Sequence, residues 1–364
     1  MSSSTTIQIQ AMPEDSVVRH NIANDLWLSF CSGLTLSCLR THGQDAIGEL
    51  EFLSLRRHQH KHFVDGMRKL GLEREPTDAL RCAKYHYFSN SLGGRRMQYV
   101  EETPNKVWIR YHPPFWICDG TDAPMASIAA LGPQIGRGAF RAWHAHNGAM
   151  LGNPRLAFVQ TQSQCEGDPW EAGYFIEYPE PLEPELVYQR RPGEFSPPFD
   201  AEKAPRLPHE DWPEARKAGA LKNFAIGHTA SRLASLAAMF GTVGAAAITE
   251  HAFRTVLAAR WQWLPAKLGL ERAQTPRDAA IYYAQTAALI GDEVEVEVKG
   301  DEAVVYQSSN RLWRGEDPAL FEIDDAIARA WSATLPLQAW GLRCSLDRSL
   351  SRGDAISQWR FYKA

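Results

Sequence analysis

The feature that most constrains this chain is an internal repeat. The hexapeptide Lys69–Arg74 (KLGLER) recurs as Lys267–Arg272, about 198 residues later. Collinear identities continue over about 100 further positions: Thr77/Thr275, Tyr85/Tyr283, Gly93/Gly291, Val100/Val298, Trp116/Trp313, Gly167-Asp168/Gly353-Asp354 and Phe175/Phe361. Ordered matches over this length indicate a duplicated structural module. The sequence therefore predicts two tandem modules, at 17–178 and 214–364.

Both modules show the same order of predicted elements. Helical periodicity predicts helices at about 17–44, 46–70 and 77–92, and again at about 214–244, 247–267 and 276–290. A hairpin, one more helix (124–151 or 318–334) and a closing hairpin follow, with strands at 97–100, 107–111, 155–162 and 173–178, and at 294–298, 303–306, 342–348 and 356–362. Strands kept apart from helices predict an α+β fold. Two helix–hairpin–helix–hairpin modules would pair most simply about a pseudo-two-fold axis.

The remaining segments differ in composition from the modules. Residues 1–16 are polar and rich in Ser and Thr, which predicts a disordered leader and not a secretory signal. Residues 179–213 contain nine prolines. This density excludes a helix or a central strand and predicts an extended linker.

Charge and cysteine content narrow the class of protein. A formal net charge of −4 and a pI near 6.3 give no reason to expect nucleic acid as a partner. The charge-free stretch 233–249 is short and rich in Ala and Gly, so no membrane span is expected. The six cysteines are scattered and without a C-x-x-C pair, which predicts reduced thiols in a cytoplasmic protein. A small molecule is the expected partner, and a homodimer remains open.

The end of each module resembles a known family. A helix, the run 148–152 (GAMLG), a strand, Glu166-Gly167-Asp168 and a closing strand are similar to the 4-vinyl reductase domain superfamily. The same pattern resembles aromatic-sensing domains of phenol-responsive activators and aminothiazoline-carboxylate hydrolase-like proteins. The resemblance implies a pocket for an aromatic or heterocyclic compound. In phenol-sensing members, cysteines and a glutamate hold a metal near this turn, but Glu171 and Ser357 stand where the closing cysteine would fall. We therefore expect no metal and no cofactor.

Polar residues that could carry chemistry are concentrated in the first module. Nine of the 12 histidines precede residue 150, and the run 143–147 (WHAHN) stands where the second module has 331–334 (WSAT). Because imidazole titrates near neutral pH, His144 and His146 are candidate catalytic bases, with Trp143 and Asn147 as ligand contacts. The alternative is that one histidine caps its helix and the other is solvated.

The strand 108–112 leads into a second group of candidates. Alternation along a strand places Trp108, Arg110 and His112 on one face. Aromatic walls, completed by Trp116, and a guanidinium suit a planar anionic ligand. The alternative is an exposed face whose tryptophan packs under a loop.

Three further features complete the set of candidates. Cys118 is a candidate nucleophile, and Glu166 could assist a histidine in activating water. His58 and His62 share a helical face, for which we expect a solvated surface and not a metal site.

The hypothesis that combines these residues is a hydrolase of heterocyclic or aromatic compounds, acting in the first module, with the second module degenerate. A non-catalytic binder or carrier of an aromatic or hydrophobic molecule is the alternative. A scaffold whose pockets have collapsed is the third.

Overall fold

The computed structural model describes residues 4–116, 131–208, 210–313 and 321–364, which form two compact units. The N-terminal unit is Cys38–Leu221. The C-terminal unit combines the residues up to Ser37 with Lys222–Ala364. Each unit contains helices and one five-stranded sheet, so the α+β prediction is confirmed. The units are delimited differently from the segments 17–178 and 214–364, because the first part of the first helix belongs to the C-terminal unit.

Helices occupy much of the described chain. Their bounds are α1 Ser16–Lys69, α2 Asp78–Leu92, α3 Pro133–Ala139, α4 Asn147–Leu151, α5 Glu214–Ala259, α6 Trp263–Lys267, α7 Pro276–Ile290 and α8 Phe321–Thr334. The two longest helices each break at a glycine, Gly43 (φ 82°, ψ −175°) in α1 and Gly241 (φ 69°, ψ 171°) in α5. Extended backbone with positive φ is essentially restricted to glycine. The helix boundaries predicted near 45 and 245 lie close to these breaks.

The two sheets share the order of four strands. In the N-terminal unit the strands are β2 Met97–Thr103, β3 Lys106–Tyr111, β4 Leu156–Gln162, β5 Glu171–Glu177 and β6 Tyr188–Arg190, in the order β2-β3-β5-β4-β6. In the C-terminal unit they are β1 Ser4–Gln8, β7 Val294–Lys299, β8 Glu302–Gln307, β9 Leu342–Arg348 and β10 Ser357–Lys363, in the order β1-β7-β8-β10-β9. The four strands predicted for each module are therefore confirmed.

The edge strand β1 corrects the prediction for the start of the chain. A disordered leader over 1–16 is wrong for Ser4–Gln8, which pairs antiparallel with β7. Thr5, Thr6 and Ile7 are β-branched and favour extended backbone, and β7 offers an unpaired edge. The linker 179–213 also contributes a strand, since β6 pairs parallel with β4 at the sheet edge. Prolines are tolerated beside such an edge strand.

The first part of α1 packs within the C-terminal unit. Leu26 and Leu34 are fully buried, and the ring of Phe30 stacks on Phe253 of α5 with centroids 4.0 Å apart. This apolar face explains why the helix belongs to the unit whose main strands lie more than 250 residues later.

Helices α1 and α5 each contain an 18-residue stretch that is long and apolar enough to cross a membrane, with 72% and 44% of the stretch buried. The core helix of a soluble protein passes the same test, so cytoplasmic location stays a prediction from the sequence.

Candidate functional site

Helix α2 carries a histidine into the core of the N-terminal unit. The helix begins after Thr77, whose hydroxyl accepts a hydrogen bond from the Leu80 amide at 3.3 Å and so satisfies one free amide of the first turn. The face turned toward the sheet is apolar, with Ala83 fully buried and Phe88 nearly so. His86 lies on this face and is only 2% exposed.

A turn of π-helix at Phe140–His144 presents a second histidine beside the first. The turn is defined by the hydrogen bond from the Ala145 amide to the Phe140 carbonyl, 3.0 Å long. Such single-turn insertions occur frequently at functional sites. The rings of His86 and His144 are stacked, with centroids 3.9 Å apart and planes at 15°.

A chain of hydrogen bonds fixes the orientation of His86. The Gln59 side-chain NH2 donates to the Trp143 carbonyl and to Asn147 Oδ1, both at 2.7 Å. Asn147 Oδ1 is thereby fixed as the acceptor, and Asn147 Nδ2 lies 2.9 Å from His86 Nε2. Because an amide NH2 can only donate, His86 Nε2 accepts and its proton must reside on Nδ1.

The second histidine is paired with a tyrosine of strand β3. The Tyr111 hydroxyl lies 2.7 Å from Nε2 of His144. His144 Nδ1 has no hydrogen-bond partner among the described residues, and neither does the indole Nε1 of the adjacent Trp143. Buried polar atoms are normally paired, so these two require an explanation.

Burial keeps both imidazoles neutral. It lowers the pKa of His86 to about 3. Burial also holds the pKa of His144 well below its usual value, and the neighbouring His86 lowers it further. The pKa of Tyr111 is raised well above its ordinary value by burial. At neutral pH the site therefore contains two neutral histidines and a protonated tyrosine.

Aromatic rings surround the histidine pair. Phe140, Phe158 and Phe175 lie with ring centroids 4.7, 4.5 and 5.6 Å from that of His144. The side chains of Phe158 and Phe175 are fully buried. We call the group formed by His86, His144, Tyr111, Trp143, Asn147 and these three phenylalanines the histidine compartment.

Strand β3 places the predicted ligand-binding residues on the other face of the sheet. Trp108 packs on Tyr174 at 4.4 Å, and its indole donates to Glu102 at 2.7 Å. Arg110 binds Gln98 and Ser196 and covers the ring of Trp170 at 4.5 Å. The alternation of faces is as predicted, but the face that meets the histidine compartment is the one carrying Tyr111.

His112 is on the outer face with Trp108 and Arg110, and its ring lies 5.6 Å from that of Trp170. The structure does not bring these three residues together with His144. Their shared aromatic and basic composition predicts one common pocket, whereas the pleat of β3 directs alternate side chains to opposite sides of the sheet.

His146 and Glu166 also lie apart from His144. His146 is half-buried, with Nδ1 2.7 Å from the Arg141 carbonyl. Glu166 forms ion pairs with Arg137 at 2.8 Å and with Arg190. Two arginines on one carboxylate explain its position and leave it poorly placed to assist His144 in activating water.

Trp116 donates from its indole to Glu51 at 2.9 Å, and Cys118 lies outside the described residues. Trp143 and Asn147 are the predicted contacts that the structure does bring to His144. The expectation of a solvated face for His58 and His62 is wrong for His58, which is buried and packs on Trp143 at 5.4 Å.

Sequence reasoning missed His86, Tyr111 and Gln59. A signal exists for His86, since the 198-residue offset aligns it with Ala284. An ionisable residue in one module opposite a small apolar residue in the other marks a position where the modules differ in chemistry.

The Gly-Asp turn is closed by hydrogen bonds in both units. The Ser163 amide donates to Asp168 at 2.7 Å, and the Ser349 amide donates to Asp354 at 2.9 Å. Glu171 accepts from the Gln164 amide at 2.8 Å, and burial raises its pKa to about 8. Within the described residues no group of three His, Cys, Asp or Glu side chains is arranged to hold a metal ion.

In comparisons with protein-family models, with curated proteins and with solved structures, none matched this chain. The resemblance to the 4-vinyl reductase domain superfamily therefore stays a prediction.

Proposed function

We propose that this protein binds a small aromatic or heterocyclic molecule at the histidine compartment of its N-terminal unit. The observation that carries the proposal is the presence of two buried, unpartnered polar atoms, His144 Nδ1 and Trp143 Nε1, among aromatic rings of the described residues. An apolar compartment with few polar groups is typical of small-molecule sites. The indole N–H can only donate, so the ligand carries an acceptor such as a hydroxyl, a carbonyl or a ring nitrogen.

The resemblance to aromatic-binding domains supports the same class of ligand. A role in aromatic-compound catabolism, small-molecule partners without nucleic acid, and a homodimeric state all remain predictions.

The test is calorimetric titration of the full-length protein with phenol and with pyridine. We expect His144→Phe, which keeps an aromatic ring and removes both nitrogens, to weaken binding at least tenfold. Trp108→Phe on the outer face of the sheet is the matched control and should bind normally. If His144→Phe binds as tightly as the wild-type protein, the site is wrong. If only Trp108→Phe loses binding, the ligand occupies the outer face.

Hydrolysis is a second candidate, and one contact favours it. Neutral His144 is hydrogen bonded to Tyr111, and such a pair can relay a proton to or from a bound water. In the hydrolase hypothesis Glu166 also assists the histidine and Arg110 holds an anionic group of the substrate, and the contacts that these two side chains make elsewhere do not support it. Turnover of a panel of heterocyclic amides that is abolished by Tyr111→Phe but retained by Trp108→Phe would favour an enzyme over a binder.

We also propose that the two units arose by duplication. The helix breaks at Gly43 and Gly241 are separated by the 198-residue offset of the hexapeptide. The strand order and the Ser-to-Asp hydrogen bond of the Gly-Asp turn agree as well. The pseudo-two-fold arrangement stays a prediction, which an experimental structure of the whole chain would test.

A further inference from the structure

The C-terminal unit contains a cavity that is partly open. Its volume is about 60 Å³, and its walls come from the first part of α1, from α5, α7 and α8, and from strands β8 and β10. Since one water needs about 10–15 Å³, the cavity has room for about four to six waters or for a molecule of similar size.

Large aromatic side chains form much of the wall. Trp27, Phe253, Tyr283, Trp331 and Trp359 all line the cavity. The ring of Tyr283 lies 4.3 Å from that of Trp359 and 5.3 Å from that of Trp331. The indole Nε1 atoms of Trp27 and Trp359 have no hydrogen-bond partner among the described residues. These residues are 8% and 4% exposed, so each is a buried donor without an acceptor.

Two buried carboxyl groups provide acceptors in the same wall. Asp324 accepts from Ser349 Oγ at 2.7 Å, from Ser351 Oγ at 2.6 Å, and from the Trp313 indole. Asp292 accepts from the Arg311 amide and from the Gln307 side-chain NH2, both at 2.7 Å. Each Asp292 oxygen therefore has one donor and retains capacity for another.

The polarity of the cavity is one-sided. Its described lining contains carboxyl groups and no Lys, Arg or His side chain, and the charge that acts on Asp292 comes from Arg311, outside the lining. Buried carboxyl groups are unfavourable unless donors satisfy them. An occupant that donates to the aspartates and accepts from an indole would use the remaining acceptor capacity of the carboxyl groups and satisfy the unpaired indole N–H.

We infer that this cavity is a second ligand site, which binds a small planar cyclic urea or lactam of about five or six non-hydrogen atoms. The N–H groups of such a molecule donate to Asp292 and Asp324, its carbonyl accepts from Trp359 or Trp27, and its plane packs on the aromatic walls. The site is independent of the histidine compartment and of the ligand proposed there.

The probe is 2-imidazolidinone, a five-membered cyclic urea, titrated into the full-length protein by NMR or calorimetry. Cyclopentanone has the same ring and carbonyl but no N–H donor, so it is the matched control molecule. We expect 2-imidazolidinone to bind and cyclopentanone to bind at least tenfold more weakly. Equal binding of the two, or binding of neither, would overturn the proposal.

Substitutions localise the site. Asp292→Asn, which replaces one acceptor oxygen by a donor, should weaken 2-imidazolidinone at least tenfold, whereas Asp301→Asn in an exposed turn should have no effect. Because Asp292→Asn could disturb folding, Ala287→Leu provides a second route. Ala287 lines the cavity, and a leucine there should fill it and abolish binding while leaving the melting temperature unchanged or higher. Normal binding to Ala287→Leu would place the probe elsewhere.

His144→Phe should leave binding of 2-imidazolidinone unchanged. The experiments can therefore reject the histidine compartment as a ligand site without rejecting this cavity, and the reverse.

Discussion

The two units use a similar order of strands and helices to surround different interiors. In the N-terminal unit, Tyr85 and Trp143 pack around stacked His86 and His144. By sequence, the corresponding residues of the C-terminal unit are Tyr283 and Trp331, while Ala284 and Ser332 replace the histidines. Both aromatic counterparts line the cavity, which carries carboxyl groups in place of imidazoles. The two interiors thus differ in a few core side chains, which place imidazoles in one unit and carboxyl groups in the other, so neither unit needs to be degenerate.

The largest expected difference between the two units is in how their ionisable groups make folding stability depend on pH. The pKa of His86 is lowered to about 3 in the folded state, so the unfolded chain binds the proton first as pH falls below about 6.5. The stabilisation present at neutral pH is then lost toward acid, by up to about 1.4 kcal/mol per pH unit. The pKa of Asp292 is raised to about 7, so the folded state retains a proton that the unfolded chain releases near pH 4. Its effect is a loss of stability as pH rises from about 4 to about 7.

Urea unfolding at several pH values checks this contrast. Relative to the wild-type protein, His86→Phe should lose less stability as the pH falls from about 6.5 to about 3. Asp292→Asn should lose less stability as the pH rises from about 4 to about 7. Glu171, whose pKa is raised to about 8, acts in the same sense as Asp292, so each variant must be compared with the wild-type protein. Identical shifts in both variants would remove the contrast between the units.

The helix breaks give the next largest effect. Gly43→Ala and Gly241→Ala should each lower the free energy of unfolding by about 1–3 kcal/mol, because alanine tolerates this extended positive-φ conformation poorly. No described atom lies within 4 Å of an added Cβ at either position, so the loss comes from the backbone alone. Similar losses in chemical denaturation would support duplication. A neutral result at one glycine would show that the breaks are not equivalent.

The Gly-Asp turns should be affected less. Asp168→Ala and Asp354→Ala each remove a carboxylate that accepts from a serine amide, with a loss of about 0.5–1.5 kcal/mol. Asp301→Ala is the control for loss of a surface charge. Thermal unfolding would measure the losses. If a variant is as stable as the wild-type protein, the hydrogen bond from the serine amide to the aspartate does not hold that turn closed.

The smallest expected difference in stability is between the N-terminal caps of helices α2 and α7. Thr275 forms a reciprocal capping box with Asp278, whereas the side-chain cap described for Thr77 is the single bond from Leu80. Both Thr→Ala changes should lower the free energy of unfolding by about 1 kcal/mol, with the loss at Thr275 larger by a few tenths. The Thr77 hydroxyl also donates a hydrogen bond to the Pro104 carbonyl. If urea denaturation shows the larger loss for Thr77→Ala, this bond contributes more to stability than the bond from the Thr275 amide to the Asp278 side chain.

Local patterns are sufficient for the elements whose determinants are close in sequence. Alternation and turn residues predict the four strands of each module, and helical periodicity predicts the helices. Strands β1 and β6 escape prediction because each depends on the free edge of another strand, β7 for β1 and β4 for β6. The same limitation applies to the first part of α1, whose apolar face shows that it is buried but not against which partner.

The candidate site is predictable only in part for the same reason. His144, Trp143 and Asn147 stand in one short run, so their grouping is visible from the sequence. His86 and Gln59 come from other helices, and only packing brings them together with that run. Alternation correctly groups Trp108 with Arg110, but which face of β3 meets α2 is decided by the core, where Ile109 and Tyr111 pack.

The placement of Trp27 and Phe30 in the C-terminal unit has a consequence during synthesis. This helix leaves the ribosome long before Lys222–Ala364, which complete its unit. At about 5–20 residues per second, its apolar face would wait on the order of 10–60 s for its partners, a period in which a chaperone could engage it. A chain shortened to Lys222–Ala364 would lack Trp27 and Phe30, and with them one wall of the cavity.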